Sequence, residues 1–187
     1  MSIVRSQTSR KQSVIKMDAG ALRASQPTFA DLKKIKRREI YIICDNVLDT
    51  YNIGSIFRLA DAVAAKCVYL CGQSETPPNP RIAKASVGTD KWVEWQYFAD
   101  AKTAISNVKF QISNVKVVAI EQAKGSRDYR EIDYRLPIAF VIGHETDGVS
   151  REALAMADEI VEIPMFGVNI SLNVMVSLAI ILYRVNF

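Results

Sequence analysis

Residues with the chemistry to act on a ligand fall in three stretches, each where an apolar run gives way to a helical pattern. The first, NVLDTYNIGSIFR (Asn46–Arg58), puts Asn52 at an expected helix N-cap, Gly54 in the first turn and Arg58 a turn and a half on, off the Ile53/Phe57 face. Free backbone N–H groups at such a start can seat a phosphate, and Arg58 can project a guanidinium. The plain alternative for Arg58 is a surface ion pair. The second, IGHETDGVSRE (Ile142–Glu152), brackets Glu145 between Gly143 and Gly148, with Ser150 as cap and His144 as the chain's single histidine. The third, IPMFGVNISLNVMVSLAIILY (Ile163–Tyr183), sets a turn-forming loop before a helix that is apolar nearly all round. There Gly167 permits close backbone approach, while Ser171 or Asn173 can cap the helix and leave polar atoms exposed. This junction reads as a binding site backed by a buried helix.

Several chemistries are disfavoured. The glycines form neither GxGxxG nor GxxxxGK[ST], so the dinucleotide and P-loop fingerprints are missing. One histidine without a GxSxG elbow does not make a hydrolase triad. Scattered carboxylates with one His offer no metal-ligand spacing, and no metal is expected.

The elements that must position these stretches alternate. EIYIICD (39–45), CVYLCG (67–72), WVEWQYF (92–98), VKVVAIEQ (115–122), LPIAFVIG (136–143) and EIVEIP (159–164) read as strands. Helical patterns lie at Thr28–Arg37, from Asn52 through Ile56, Ala60 and Ala64, at Ala99–Val108, at Ser150–Ala157 and at the C-terminal end. Strands and helices in this order indicate an α/β fold with a mainly parallel sheet and flanking helices. Ligands of open α/β sheets bind beyond the strand carboxyl ends, which selects the loops after Asp45, Glu121, Gly143 and Pro164.

At 187 residues, 49% hydrophobic and 24% charged, the chain can bury a core. Its longest apolar run, within Val174–Val185, is too short to span a membrane, and MSIVRSQTSRKQ lacks a signal core, so a cytoplasmic protein is expected. Cys44, Cys67 and Cys71 form no CxxC pair and read as buried thiols. The net charge of +4 is uneven: residues 1–38 carry ten Lys/Arg against two Asp. This basic N-terminal extension points to a polyanionic partner or to a solvated tail. In the Pro-rich stretch Thr76–Lys91, Arg81, Lys84 and Lys91 could meet the phosphates of such a polyanion or simply cross the surface. Trp92, Trp95 and Tyr97 alternate as strand residues, which favours packing in the core or sheet.

In order, the three stretches resemble the motifs of the SpoU/TrmH branch of the SPOUT RNA methyltransferases: Asn46–Asp49–Asn52–Gly54–Arg58, then Val141–Gly143–Glu145–Gly148, then Ile163–Pro164–Met165–Gly167–Ser171–Leu172–Asn173–Val174. The resemblance covers Glu39 to the C-terminus, residues 39–187. It implies S-adenosyl-L-methionine-dependent methylation of a ribose 2′-hydroxyl in tRNA or rRNA, a deep C-terminal trefoil knot and a homodimer paired through the C-terminal helix. Around the cofactor it places Glu121, Val141, Gly143, His144, Glu145, Ile163, Met165, Ser171 and Leu172. To the catalytic cluster it assigns Arg58, Asn52, Ser171 and Asn173. A family base role for Arg58 is physically awkward, because arginine holds its proton above a pKa of about 12. Arg58 is better suited to holding phosphate and stabilising developing alkoxide charge, with Asn52, Ser171 or Asn173 orienting the hydroxyl.

The chain departs from the family pattern at His144, where a small or amide residue is usual, at Thr146, near where a glycine is usual, and at Met175, where a small residue is usual. The dimer also has a physical motive, since Val174, Leu178, Ile181, Leu182 and Val185 need more cover than one face of a small domain supplies. A non-catalytic RNA-binding protein of the same fold is the rival reading.

Overall fold

The computed structural model describes residues 16–185. Seven strands, β1 (Arg38–Asp45), β2 (Ala65–Cys71), β3 (Glu94–Phe98), β4 (Lys116–Ile120), β5 (Arg127–Asp128), β6 (Ile138–Ile142) and β7 (Glu159–Glu162), build one sheet. Its order is β3-β2-β1-β6-β4-β7-β5, and every neighbouring pair is parallel. Central strands of such a sheet are covered on both faces, which is why β1 and β6 are continuous apolar runs. Period-2 alternation sends Ile40, Ile42 and Cys44 to one face and Tyr41 and Ile43 to the other.

The first face is covered by α3 (Thr50–Ala62), α4 (Pro80–Ser86) and α7 (Val174–Leu182), the second by α5 (Ala101–Gln111) and α6 (Arg151–Leu154). Two short helices, α1 (Ala19–Ala24) and α2 (Phe29–Lys34), precede the sheet. Both carry the expected start chemistry: Asp18 caps α1, and Thr28 with Asp31 forms a capping box on α2.

The Pro-rich stretch is not an open loop. Asn79 accepts from the Arg81 and Ile82 amides and starts α4, whose backbone presses on α3 at Gly54. A Cβ on Gly54 would stand 2.5 Å from Ala85 Cβ and 2.7 Å from the Ile82 carbonyl oxygen. Gly54 therefore serves helix packing rather than a phosphate seat. Lys91 is likewise engaged: its ammonium donates to the carbonyls of Arg23 (2.9 Å) and Ser25 (3.0 Å). Trp92 lies ahead of β3, and its indole N–H donates to Ser25 Oγ at 2.8 Å. With Arg37 bonded to Asp61 and to the Trp92 carbonyl, these contacts hold residues 16–37 against the body. Residues 1–15 of the basic extension lie outside the described residues.

Helix α7 departs from expectation in what covers it. Leu178, Ile181, Leu182 and Val185 are buried in the chain's own core, against β6 and α3, so these residues need no partner subunit. Val176 and Tyr183 remain exposed on this segment, and Phe166, Val168 and Ile170 are exposed in the loop before it. Among the described residues no helix is long and apolar enough to cross a membrane.

Candidate active site

The neighbouring strands β6, β4 and β7 end at one edge of the sheet, and the loops that follow them enclose a cavity of about 500 Å³. This is the position the crevice rule predicts, and the size suits a small molecule. Glu121, Gly143, His144, Glu145, Ile163, Met165, Ser171 and Leu172 all line it. Val141 does not. It lies in β6 on the α5/α6 side of the sheet, fully buried, because alternation turns only its neighbour Ile142 toward the cavity.

The loop 143–149 is tightly closed. The His144 N–H donates to the Gly148 carbonyl and the Gly148 N–H to the His144 carbonyl, each at 3.0 Å. Gly148 has φ +71°, and the Glu121 carboxylate lies where its Cβ would be. That carboxylate accepts from the Val149 N–H (2.8 Å) and from its neighbour Gln122 (2.8 Å), tying the end of β4 to the loop. His144 Nδ1 accepts from the amides of Thr146 (3.0 Å) and Asp147 (3.1 Å). An Asp147 carboxylate oxygen also lies 3.5 Å from Nδ1. The third loop is joined to the first two by Gln122 Nε2, which donates to the Ile170 carbonyl at 2.8 Å.

A polar chain runs beneath the cavity. Glu145 accepts from the Leu48 (3.2 Å) and Asp49 (3.0 Å) amides and from Asn52 Nδ2 (3.0 Å). Asn52 Oδ1 accepts from Asn173 Nδ2 at 3.0 Å, and Asn173 Oδ1 caps α7 by accepting from Met175 and Val176. Burial raises the proton affinity of Glu145, but the bonds from Asn52 and the backbone outweigh it and lower its pKa. The cap of α3 is Asp49, which accepts from the Tyr51 amide, and not Asn52. Freed from capping, the buried Asn52 spends both ends of its amide on joining the second and third stretches.

The four proposed catalytic residues thus divide. Asn52 and Asn173 are already hydrogen-bonded. Ser171 is exposed on the cavity wall, and its hydroxyl has no partner among the described residues. Arg58 is exposed, unpaired among the described residues and outside the cavity lining.

With this geometry, the sequence matches the model of the SpoU rRNA Methylase family over residues 39–183. The chain belongs to that family. It is 35% identical over 152 residues to the tRNA (guanosine(18)-2'-O)-methyltransferase of Thermus thermophilus, covering 80% of this chain and 76% of that one. The A. aeolicus TrmH/SpoU tRNA modifying enzyme superposes with a TM-score of 0.72 at 30% identity, covering 89% of this chain and 79% of that one. An AdoMet-bound rRNA methyltransferase from Sinorhizobium meliloti gives 0.72 at 30% identity, over 87% and 58% of the two chains.

Sequence reasoning missed several residues of this SpoU-family site. Gln122, Asn169 and Ile170 also line the cavity. Gln122 was within reach, as it directly follows Glu121 at a strand end. The buried Asp45, at the end of β1, accepts from the Ser150 N–H (2.8 Å) and from Asn46 Nδ2 (2.9 Å), fixing the start of α6. Among the described residues the lining includes Glu121, Glu145, Asp147 and Glu162 but no Lys or Arg, so it is unfavourable to phosphate.

Proposed function

We propose that this SpoU-family protein methylates a ribose 2′-hydroxyl of tRNA with S-adenosyl-L-methionine as donor. The observation that carries this is the cavity at the ends of β6, β4 and β7 with the free Ser171 hydroxyl on its wall. The cofactor fits the residues present. Backbone groups of Gly143, Ile163 and Met165 and the side chain of Leu172 would hold its adenosyl part, and a lining with carboxylates and no basic side chain suits a sulfonium cation. When bound, it supplies an electrophilic methyl group, and a C–O bond forms as the C–S bond breaks.

The chain's own residues then have distinct tasks. The Ser171 hydroxyl orients the ribose oxygen, because it alone of the four candidates is both free and on the wall. Asn52 and Asn173 hold the three loops in register. Arg58, outside the cavity, holds an RNA phosphate, and the hydroxyl proton passes to solvent. The basic segment 1–38 adds sequence-independent affinity for the same polyanion.

Two features of the family belong to the same proposal. The first is the knot, supported by the path of the chain: β7 lies beyond β4, yet α7 packs on α3 and β6, so residues 163–173 re-cross the ends of β4 and β6. A crystal structure routing that segment outside the loop 121–137 would remove it. The second is a cytoplasmic homodimer joined through the exposed side of α7, at Val176 and Tyr183, instead of the residues buried in the core.

The test is transfer of labelled methyl groups from S-adenosyl-L-methionine to purified tRNA, followed by mass mapping of 2′-O-methylated nucleotides. Product in tRNA is expected. Transfer confined to rRNA would overturn the substrate, and binding to RNA without transfer to either would favour the non-catalytic RNA-binding reading.

A further inference from the structure

His144 closes the turn of the loop 143–149 with a ring nitrogen, where two other turns of this chain use an amide oxygen. Asn79 and Asn173 each accept, through Oδ1, from the amides two and three residues ahead. His144 Nδ1 makes the same pair of bonds, to Thr146 and Asp147, at 3.0 and 3.1 Å. The ring nitrogen therefore does for the loop 143–149 what an asparagine oxygen does at the starts of α4 and α7. One property differs: an amide oxygen stays an acceptor at every pH, whereas imidazole nitrogen becomes a donor on protonation.

We propose that His144 is a positioning residue whose unprotonated Nδ1 holds the loop 143–149 in its binding shape, so that cofactor affinity is lost as this imidazole is protonated. The inference rests on the cavity being the S-adenosyl-L-methionine site. The same loop supplies Gly143 and Glu145 to the cavity wall, and Glu145 anchors Leu48, Asp49 and Asn52, so releasing its turn loosens the wall and its link to α3. Protonation of Nδ1 would set an N–H against the two amide N–H groups that now point at it.

On the loop itself, the exposed Asp147 carboxylate lies 3.5 Å from Nδ1, while the Glu145 carboxylate is turned into the start of α3. From β4, Glu121 is committed to the Val149 and Gln122 amides. From β1, Asp45 is bonded to Ser150, and from β7, Glu162 accepts from Ser126. The two amide N–H groups are satisfied only by an unprotonated Nδ1, so the clamped loop, and cofactor affinity with it, is lost when the imidazole takes up a second proton.

Because this is the single histidine, its ring can be followed by nuclear magnetic resonance in ¹⁵N-histidine-labelled full-length protein. An acceptor-type Nδ1 with the proton on Nε2 is expected at about pH 8, with Thr146 and Asp147 amide signals shifting in step with the ring as it titrates. A proton on Nδ1 at that pH, or amides indifferent to the ring, would overturn the clamp without any variant being made. Calorimetry with S-adenosyl-L-methionine reads the consequence. On going from about pH 8 to about pH 5.5 the wild type should lose about tenfold or more in affinity, the scale of two lost hydrogen bonds, while His144→Asn should change less than about threefold. His144→Ala should bind weakly at both values. An equal fall in His144→Asn, or wild-type affinity in His144→Ala at the higher pH, would sink the proposal. No binding by the wild type at either pH would remove the cofactor reading and this pH effect with it, whereas the ring measurement would still report on the clamp.

Discussion

Ser171 and Asn52 were equivalent candidates in the sequence, and their hydrogen bonds separate them. Ser171 offers a hydroxyl to the cavity with no partner among the described residues, so under the proposed function removing it takes away a contact made with substrate. Asn52 is buried between Glu145 and Asn173, so removing it strands a carboxylate and an amide. Ser171→Ala should lower kcat by about one to two orders of magnitude, the range for losing one transition-state hydrogen bond, with Tm and cofactor affinity little changed. Asn52→Ala should instead cost about 1–3 kcal/mol of folding stability, read by urea denaturation. Were the two variants to swap phenotypes, the division between an orienting hydroxyl and a positioning amide would be wrong. Why the sequence left them together is plain: Asn, Ser and Asp all accept from backbone amides, and Asp49 is three residues from Asn52 at the same helix start. Only the fold shows which one caps and which one is left to reach across.

At the scale of elements, the close approach of α3 and α4 makes the sharpest claim. Alanine in place of glycine within a helix normally gains about 1 kcal/mol from propensity. At Gly54 the added methyl meets Ala85 Cβ at 2.5 Å and the Ile82 carbonyl oxygen at 2.7 Å, and both belong to a helix that cannot give way without moving off the sheet. Gly54→Ala should therefore be destabilising by about 1–3 kcal/mol in chemical denaturation, as overpacking is. A variant as stable as the wild type would show that α4 moves freely. Element reading from sequence worked where burial on both faces leaves an unbroken apolar run, as in 39–45 and 136–143. It failed where short elements are held by remote partners: α4 was hidden by the prolines before it, and the two-residue β5 exists only by pairing with β7. The strand order, which brings β6, β4 and β7 together and so makes the cavity, depends on non-neighbouring crossovers that no local pattern encodes.

For the whole molecule, the question is what covers the apolar surface that remains once α7 is packed. The sequence pointed to Val174, Leu178, Ile181, Leu182 and Val185, because a nearly all-apolar helix gives no sign of which side meets its own sheet. The structure buries the last four in the core, packs the half-buried Val174 against it, and leaves Val176, Tyr183 and the preceding Phe166, Val168 and Ile170 facing outward. In a two-fold dimer each substitution occurs twice across one interface, so a charge placed there is penalised twice by desolvation and like-charge repulsion. Val176→Lys is the informative change. Its side chain already reaches solvent, so a single chain should accept the lysine, while the proposed dimer should not. Sedimentation at micromolar concentration should show the wild type as a dimer and Val176→Lys as a folded monomer, with a Tm that no longer rises with protein concentration. Leu178→Lys, which puts the charge in the core, should unfold at any concentration. A wild type that sediments as a monomer, or a Val176→Lys variant that stays dimeric, would move the interface away from this side of α7.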